Sequence, residues 1–203
     1  MTEPRILPAA PPYEPAVAKA FDAFTAGREP IKLFRTMARN PRLLGRFFAG
    51  SLLDPGSISI AEREIMILRT TARCGSEYEW GVHVKIFAAR AGLTPAQIAA
   101  SAQGTAEDPA WSPNQRLLIR LADVLHDTAT VPEDLWSALA AVWRPDQLLE
   151  LIVLAGNYHM VAFVTNSLGV ELEDFAARFP AAADEPRRRP ELPGEKYGAL
   201  NLD

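Results

Sequence analysis

Repeated helix-start signals constrain this chain more than any other feature of its sequence. In a capping box, a hydroxyl residue and a Glu or Gln three positions later satisfy each other's free N–H groups at a helix start. The pattern occurs at 59–62, 76–79, 94–97, 112–115 and 130–133. Asn40-Pro41 and Arg144-Pro145 add two starts with proline at the first helical position. Because no stretch shows the alternation of a half-buried strand, the sequence predicts an all-α, multi-helix fold.

The apolar spacing between these signals predicts the helices and the domain organisation. Helices are expected over 16–26, 31–39, 41–53, 60–73, 77–91 and 146–168, with three further ones starting after Thr94, Ser112 and Thr130. Five prolines make residues 1–15 an extended arm. A single helical domain is expected over 16–178, with its motif core at 58–102. The proline and charge content of 179–203 predicts an extended or disordered arm, or one that lies on a neighbouring subunit.

Charge and hydropathy exclude several function classes. The net charge is −4 with a pI near 5.5, and no basic tract suggests binding to nucleic acid. The apolar runs are shorter than a membrane span, and prolines break the N-terminus, so we expect a cytoplasmic protein with neither a membrane partner nor a signal peptide. Cys74 is the single cysteine, which excludes an internal disulfide.

Helical spacing separates the charged residues of 60–73 into two groups. Glu62, Arg69 and Arg73 share one face, as expected of a solvated face. Glu64 instead lies on a flank beside Ile67. A glutamate among apolar neighbours requires a partner or a raised pKa, which makes Glu64 a candidate for acid–base chemistry.

The stretch GSEYEWGVH at 75–83 supplies the second set of candidates. Glu79 and His83 are one turn apart, so their side chains are able to meet, and a histidine beside a carboxylate suits proton transfer. Tyr78 adds a hydroxyl, and Ser76 and Trp80 are candidate pocket residues. A purely structural interpretation also exists, in which Ser76 and Glu79 only cap the helix and His83 is a satisfied core histidine.

The remaining histidines and the cysteine favour structural roles. His126 is expected near a helix C-terminus, where it interacts with the last carbonyls. His159 lies within an apolar helix and is predicted to be a core histidine. Cys74 is interpreted as a small buried side chain rather than a lone reactive thiol.

The block 58–100, ISIAEREIMILRTTARCGSEYEWGVHVKIFAARAGLTPAQIAA, resembles the carboxymuconolactone decarboxylase family, which includes the alkylhydroperoxidase D-like proteins. The redox branch of that family has a glutamate, eleven intervening residues and then Cys-x-x-Cys-x-x-x-His. On this chain the glutamate and histidine fall on Glu64 and His83, whereas the two cysteines fall on Ser76 and Glu79. The resemblance implies an alkylhydroperoxidase D-like fold that assembles as a homotrimer or homohexamer.

The missing sulfurs decide which chemistry the resemblance implies. A dithiol peroxidase needs one thiolate to attack the peroxide and a second thiol to resolve the sulfenic acid. Neither Ser76 nor Glu79 is able to do this. The decarboxylase branch uses no cofactor, and there the resemblance implies a lyase acting on a small organic acid or lactone from aromatic catabolism. Glu64, Glu79 and His83 would supply acid–base groups, Tyr78 a hydrogen bond, and the helix start at 76–78 an anion site.

Two alternatives stay open at the level of sequence. Glu79 and His83 have the spacing of a helical metal pair, which His159 or Glu64 would complete as a third ligand. In the second alternative, the chain is a non-catalytic oligomeric scaffold that has lost alkylhydroperoxidase activity. A scaffold would have the region around Glu64 and His83 filled by side chains, without a cavity.

Overall fold

A computed structural model describes residues 3–181, and within them the chain forms nine helices and no strand. The helices are α1 (Pro15–Thr25), α2 (Lys32–Met37), α3 (Pro41–Ala49), α4 (Ile60–Arg73), α5 (Glu77–Phe87), α6 (Pro95–Gln103), α7 (Pro113–Thr128), α8 (Glu133–Ala140) and α9 (Pro145–Leu168). The predicted all-α class is therefore confirmed. Most of the C-terminal arm predicted for 179–203 lies outside the described residues.

Two helices end earlier than the apolar spacing predicts. α3 ends at Ala49 because the N–H of Gly50 turns back to the carbonyls of Arg46 and Phe47. α5 ends at Phe87, and the four residues that follow form a turn that Gly92 closes at φ 69°.

The capping box predicted at 130–133 is wrong. Pro132 occupies the N-cap of α8 without a side-chain bond. The Thr130 hydroxyl lies 3.2 Å from that of Thr128 instead. A hydroxyl engaged on the preceding turn is not available to the first turn of α8.

α4 is the central helix of the domain, and it has no solvated face. Its residues from Arg63 to Thr71 are all buried, because α5, α6, α7 and α9 all pack against it. Arg69, which helical spacing predicts to be solvated, is 5% exposed. It forms a bidentate pair with Asp123 at 2.6 and 2.9 Å and donates to the Gly104 carbonyl. Buried charges persist when they are paired in this way.

α9 buries one stripe and exposes another. The buried stripe consists of Leu148, Leu151, Leu154, Ala155, Tyr158, Val161, Ala162 and Thr165. By length and composition alone, α9 is also able to cross a membrane, contrary to the expectation from the shorter apolar runs. The apolar composition of α9 is also that of a core helix, because this stripe is buried against α4, α5, α7 and α8.

Both ends of the described chain pack onto the helices. On the N-terminal side, the Arg5 N–H donates to the Leu168 carbonyl at 2.8 Å and the Ala9 N–H donates to the Arg35 carbonyl at 3.0 Å. The predicted extended arm therefore lies along its own domain. α1 and α3 enclose a small second core of Val17, Phe21, Ala38 and Leu44.

The segment after α9 crosses α5 at a glycine. The Ala177 N–H donates to the Gly81 carbonyl at 3.1 Å. A Cβ at Gly81 would lie 2.1 Å from the Ala177 oxygen, so only glycine permits this close approach. The crossing brings Phe175 to the edge of a cavity beside α5.

Candidate active site

Glu64 and His83 form a fully buried pair between α4 and α5. His83 Nδ1 lies 2.7 Å from Glu64 Oε2. Glu64 is 0% exposed and His83 is 3% exposed. The sequence predicts both residues as site candidates from their position on two consecutive helices, and the fold brings them into direct contact.

Arg63 holds the other oxygen of Glu64. Its Nε and one terminal nitrogen each lie 2.9 Å from Glu64 Oε1, and its Nη1 donates to the Leu53 carbonyl. The guanidinium also lies 5.4 Å from the centre of the Phe87 ring. Glu64 therefore contacts a cation on each oxygen when His83 is protonated, an arrangement that stabilises the buried carboxylate.

The second nitrogen of His83 faces two further polar groups. The Tyr158 hydroxyl of α9 lies 3.2 Å from His83 Nε2, and Glu79 Oε1 lies 3.4 Å from the same atom. The i, i+4 contact predicted between Glu79 and His83 is thus present. A chain of polar contacts runs from Glu64 through His83 to Tyr158 and Glu79.

This environment keeps His83 protonated at neutral pH. Burial by itself lowers the pKa of a histidine, but here the charge of Glu64 and its hydrogen bond act against burial. Together with Glu79, they raise the pKa of His83 to about 9. His83 therefore donates from both ring nitrogens near neutral pH. It has to give up a proton before it is able to act as a base.

Tyr158 and Glu79 differ in what they offer. Burial, followed by the charges of Glu79 and Glu64, raises the pKa of Tyr158 well above its usual value, so the group remains a neutral hydroxyl. Glu79 Oε2 is buried and has no hydrogen-bond partner among residues 3–181. A buried, unsatisfied carboxylate oxygen is costly to maintain and stands ready to accept a hydrogen bond from a ligand.

A cavity of about 730 Å³ opens beside this chain of contacts. Glu79, His83 and Tyr158 line it, and Glu64 lies behind His83, outside the lining. The apolar wall consists of Phe24, Phe34, Phe47, Phe48, Val82, Ile86, Phe87, Val161 and Phe175. Arg28, Glu29, Asp54 and Asn157 also contribute to the lining. A mainly aromatic cavity with a few converging polar groups is typical of a small-molecule site.

Besides Glu64, three predicted site residues lie outside the lining of this cavity: Ser76, Tyr78 and Trp80. The Tyr78 hydroxyl donates to Glu173 at 2.7 Å and accepts from the Leu33 N–H at 3.0 Å. Burial, followed by the charge of Glu173, raises the pKa of Tyr78 far above its usual range. The hydroxyl therefore anchors the segment after α9 rather than facing a ligand.

Ser76 and Trp80 also point away from the cavity. Ser76 Oγ lies 2.8 Å from Thr165 Oγ1 and accepts a long hydrogen bond from the Glu79 N–H. Trp80 donates its indole N–H to Ser101 at 3.0 Å. At the helix start expected to bind an anion, the Glu77 N–H donates to the Gly75 carbonyl and the Glu79 N–H donates to Ser76 Oγ, so two of the first-turn N–H groups are already bonded.

The capping box predicted at 76–79 is half formed. The Ser76 N–H donates to the Thr71 carbonyl at 2.9 Å, so it does not need the Glu79 carboxylate. Glu79 is thereby free to turn towards His83. Ser76 therefore has the role of helix cap, whereas the Glu79 side chain belongs to the candidate site.

The third ligand of the metal alternative lies elsewhere. His159 Nε2 is 3.1 Å from His126 Nδ1, and its Nδ1 donates to the Ala155 carbonyl. His159 therefore belongs to a separate cluster with His126 and Cys74, and it does not complete a set with Glu79 and His83. His126, predicted to bind helix-terminal carbonyls, contacts these two side chains instead because α4 and α9 both reach the end of α7.

Tyr158 and Arg63 are site residues that the sequence interpretation missed. Tyr158 belongs to the buried stripe of α9, and a buried tyrosine hydroxyl requires a hydrogen-bond partner, which is the signal that could have found it. Arg63 directly precedes Glu64 in the chain. Nothing in the helical spacing indicated that its guanidinium folds back onto its neighbour.

Solved structures share this fold at low sequence identity. An uncharacterized peroxidase-related protein from Silicibacter sp. TM1040 is 17% identical with a TM-score of 0.72, and the match covers 89% of this chain and 100% of that one. An alkylhydroperoxidase AhpD core protein from Ralstonia eutropha JMP134, also described as uncharacterized and peroxidase-related, is 18% identical with a TM-score of 0.73, covering 86% and 94%. The debrominase Bmp8, in complex with 2,3,4-tribromopyrrole, is 15% identical with a TM-score of 0.68, covering 84% and 92%. The fold is thus of the alkylhydroperoxidase D-like, all-α class.

One segment of the sequence is similar to a known family. Residues 40–123 match the model of the carboxymuconolactone decarboxylase family. This segment spans α3 to most of α7 and contains Glu64, Glu79 and His83. No curated protein matches the chain.

Proposed function

We propose that this protein is a cofactor-independent acid–base enzyme of the decarboxylase or lyase type, acting on a small organic acid or lactone. The observation that carries the proposal is the polar chain Glu64–His83–Tyr158/Glu79, which ends on an aromatic cavity of about 730 Å³. The cavity also argues against a scaffold whose former active site is filled by side chains.

The protonation states suit delivery of a proton to carbon. When a carboxylate leaves as carbon dioxide, the electron pair of the broken C–C bond stays on the substrate as an enolate, which must be protonated. His83 Nε2–H is a proton donor at the cavity wall, and the Tyr158 hydroxyl offers a second hydrogen bond. Glu64 stabilises the imidazolium before the transfer, and the Arg63 guanidinium keeps Glu64 in place.

Arg28 is the group at the cavity that supports a carboxylate substrate. It lines the cavity together with the acidic residues Glu29, Asp54 and Glu79. The Arg28 Nε donates to the Thr25 carbonyl. Arg69 and Arg73 do not line the cavity and bind aspartates instead. The debrominase Bmp8, a neighbour in fold, is in complex with the small aromatic molecule 2,3,4-tribromopyrrole, which supports a ligand of similar size here. We accordingly favour a planar, partly apolar acid as the substrate class.

Peroxidase chemistry is not part of the proposal. The single cysteine, Cys74, lies beside His126 and does not line the cavity. No second thiol exists in the chain to resolve a sulfenic acid.

The test is release of carbon dioxide from a panel of lactone acids and β-keto acids. We expect turnover by the wild type to fall as pH rises through about 9, because the proton donor His83 is then lost. The variants His83→Gln and Glu79→Gln should lose at least about 10²-fold in kcat/KM. Equal turnover by the wild type and His83→Gln would remove His83 from the mechanism. Failure of every panel member to bind would overturn the substrate class.

A further inference from the structure

A cluster of metal-binding side chains lies away from the acid–base site. Cys74 caps the C-terminus of α4, His126 lies in the last turn of α7, and His159 lies in the middle of α9. Cys74 Sγ is 3.7 Å from His126 Nδ1, which is 3.1 Å from His159 Nε2. One ligand atom from each residue lies within 4.8 Å of the other two. None of the three lines the cavity beside His83.

Without a cation, a single hydrogen bond holds the two histidines of this cluster together. His159 Nδ1 is 2.8 Å from the Ala155 carbonyl, which is only able to accept, so Nδ1 carries the proton and Nε2 presents a lone pair. His126 Nδ1 faces that lone pair and the Cys74 sulfur together. A single proton on Nδ1 serves one of these neighbours and not both. A metal ion between them would accept a lone pair from all three atoms.

Two of the three separations between ligand atoms fit a tetrahedral zinc site, and the third is below 4.8 Å. With Zn–S near 2.3 Å and Zn–N of about 2.0–2.1 Å, tetrahedral angles place sulfur and nitrogen about 3.6 Å apart, and two nitrogens about 3.4 Å apart. The observed separations are 3.7 and 3.1 Å. One thiolate with two imidazoles selects zinc-like ions over magnesium or calcium, which prefer oxygen ligands.

The surroundings support these ligands as a metal site requires. The Ala155 carbonyl fixes the tautomer of His159, the usual role of a group behind a zinc-bound histidine. Asn166 Nδ2 donates to the Cys74 carbonyl at 2.8 Å and holds the backbone of that residue. All three ligand residues are half-buried, so an ion is able to reach them from solvent.

Charges of both signs lie near this cluster. Arg73 is the adjacent positive group, and its guanidinium lies 2.6 Å from an oxygen of Asp127 and 3.6 Å from one of Asp123. These two carboxylates partly offset its charge. A thiolate at Cys74 would add a further negative charge to the site.

We propose that Cys74, His126 and His159 bind one Zn²⁺, with the fourth coordination position left to water. The ion would tie the ends of α4 and α7 to the middle of α9. This site goes beyond the proposed decarboxylase-type function and is independent of it, because it shares no residue with the Glu64–His83 pair.

Cobalt substitution tests the proposal directly. Untagged, metal-stripped protein, kept reduced, is titrated with Co²⁺ and the thiolate-to-cobalt absorption band is followed, while Zn²⁺ binding is measured by calorimetry. We expect the band to saturate at one equivalent and Zn²⁺ to displace the cobalt. Cys74→Ser should abolish the band, and His159→Gln should weaken Zn²⁺ binding at least about 100-fold.

A histidine variant at the other site is the matched control. His83→Gln should leave both the band and the Zn²⁺ affinity unchanged, which separates this site from the Glu79–His83 pair. X-ray absorption of the zinc-loaded wild type should show one sulfur and two imidazole nitrogens, a readout that does not depend on how any variant folds. Absence of the sulfur band in the wild type, or Zn²⁺ binding that is unchanged in both Cys74→Ser and His159→Gln, would overturn the proposal.

Discussion

At the scale of single residues, the protonation of His83 links the site to the stability of the fold. The pKa of His83 is about 9 in the folded chain, above the value near 6.5 of a free histidine. A group with a raised folded pKa contributes its full stabilisation below the unfolded pKa and loses it as pH rises through the folded pKa. The contribution should therefore fade between about pH 6.5 and 9, by roughly 3 kcal/mol at 1.36 kcal/mol per pH unit.

Urea unfolding of the wild type and His83→Gln at several pH values measures this loss. The difference in unfolding free energy between the two proteins should shrink from about pH 6.5 to 9. His126→Gln, measured in metal-stripped protein, is the control, since burial lowers the pKa of His126 and moves its titration to lower pH. A constant difference between the wild type and His83→Gln would show that His83 is neutral when buried.

The two buried tyrosines give a sharp test of which hydroxyl serves the site. Tyr158→Phe removes the hydroxyl that lies 3.2 Å from His83 Nε2, and we expect about a 10²-fold loss of kcat. Tyr78→Phe removes a hydroxyl bound to Glu173 and the Leu33 N–H. It should lower the unfolding free energy by about 1–3 kcal/mol and leave kcat unchanged. The reverse pattern in turnover and urea unfolding would restore Tyr78 to the catalytic role that the sequence suggested.

How far the site was predictable depends on the distance along the chain. Helical periodicity fixes which residues share a face of one helix, so it brought Glu79 to His83 and set Glu64 apart from its solvated-looking neighbours. It does not say which helix covers each face. Tyr158 is 75 positions from His83 in the chain, and only the packing of α9 on α5 joins them. The same limit explains why Tyr78 and Trp80 were wrongly predicted to face the site: the parts of the chain that pack on them direct these side chains to Glu173 and Ser101.

At the scale of elements, the segment after α9 is able to cross α5 only because residue 81 has no side chain. Gly81→Ala places a methyl group against the Ala177 backbone, at 2.1 Å from its oxygen. Because backbone cannot move aside as a flexible side chain does, we expect a loss of about 1–3 kcal/mol in unfolding free energy. Gly45→Ala, in α3, meets nothing within 4 Å. It should be neutral or stabilising by up to about 1 kcal/mol, as alanine favours helix.

Thermal or urea unfolding of both glycine variants distinguishes the contact from helix propensity. Phe175 belongs to the same segment and lines the cavity, so Gly81→Ala should also weaken ligand binding. Equal stability of the two variants would mean that the segment at Ala177 shifts without cost.

At the scale of the whole molecule, the outer face of α9 predicts self-association. Leu149 and Phe163 are each 65% exposed and Val153 is 50% exposed, and Met160 continues the same stripe. Exposed apolar stripes of this kind mark interaction surfaces, and the family resemblance makes a second copy of the chain the expected partner. Leu149→Arg with Val153→Arg should reduce the mass measured by light scattering, because two buried charges would oppose association. Leu43→Arg, at an exposed leucine of α3, is the control and should leave the mass unchanged. A wild type that is monomeric at micromolar concentration, or a double variant that keeps the mass of the assembly, would contradict this use of α9.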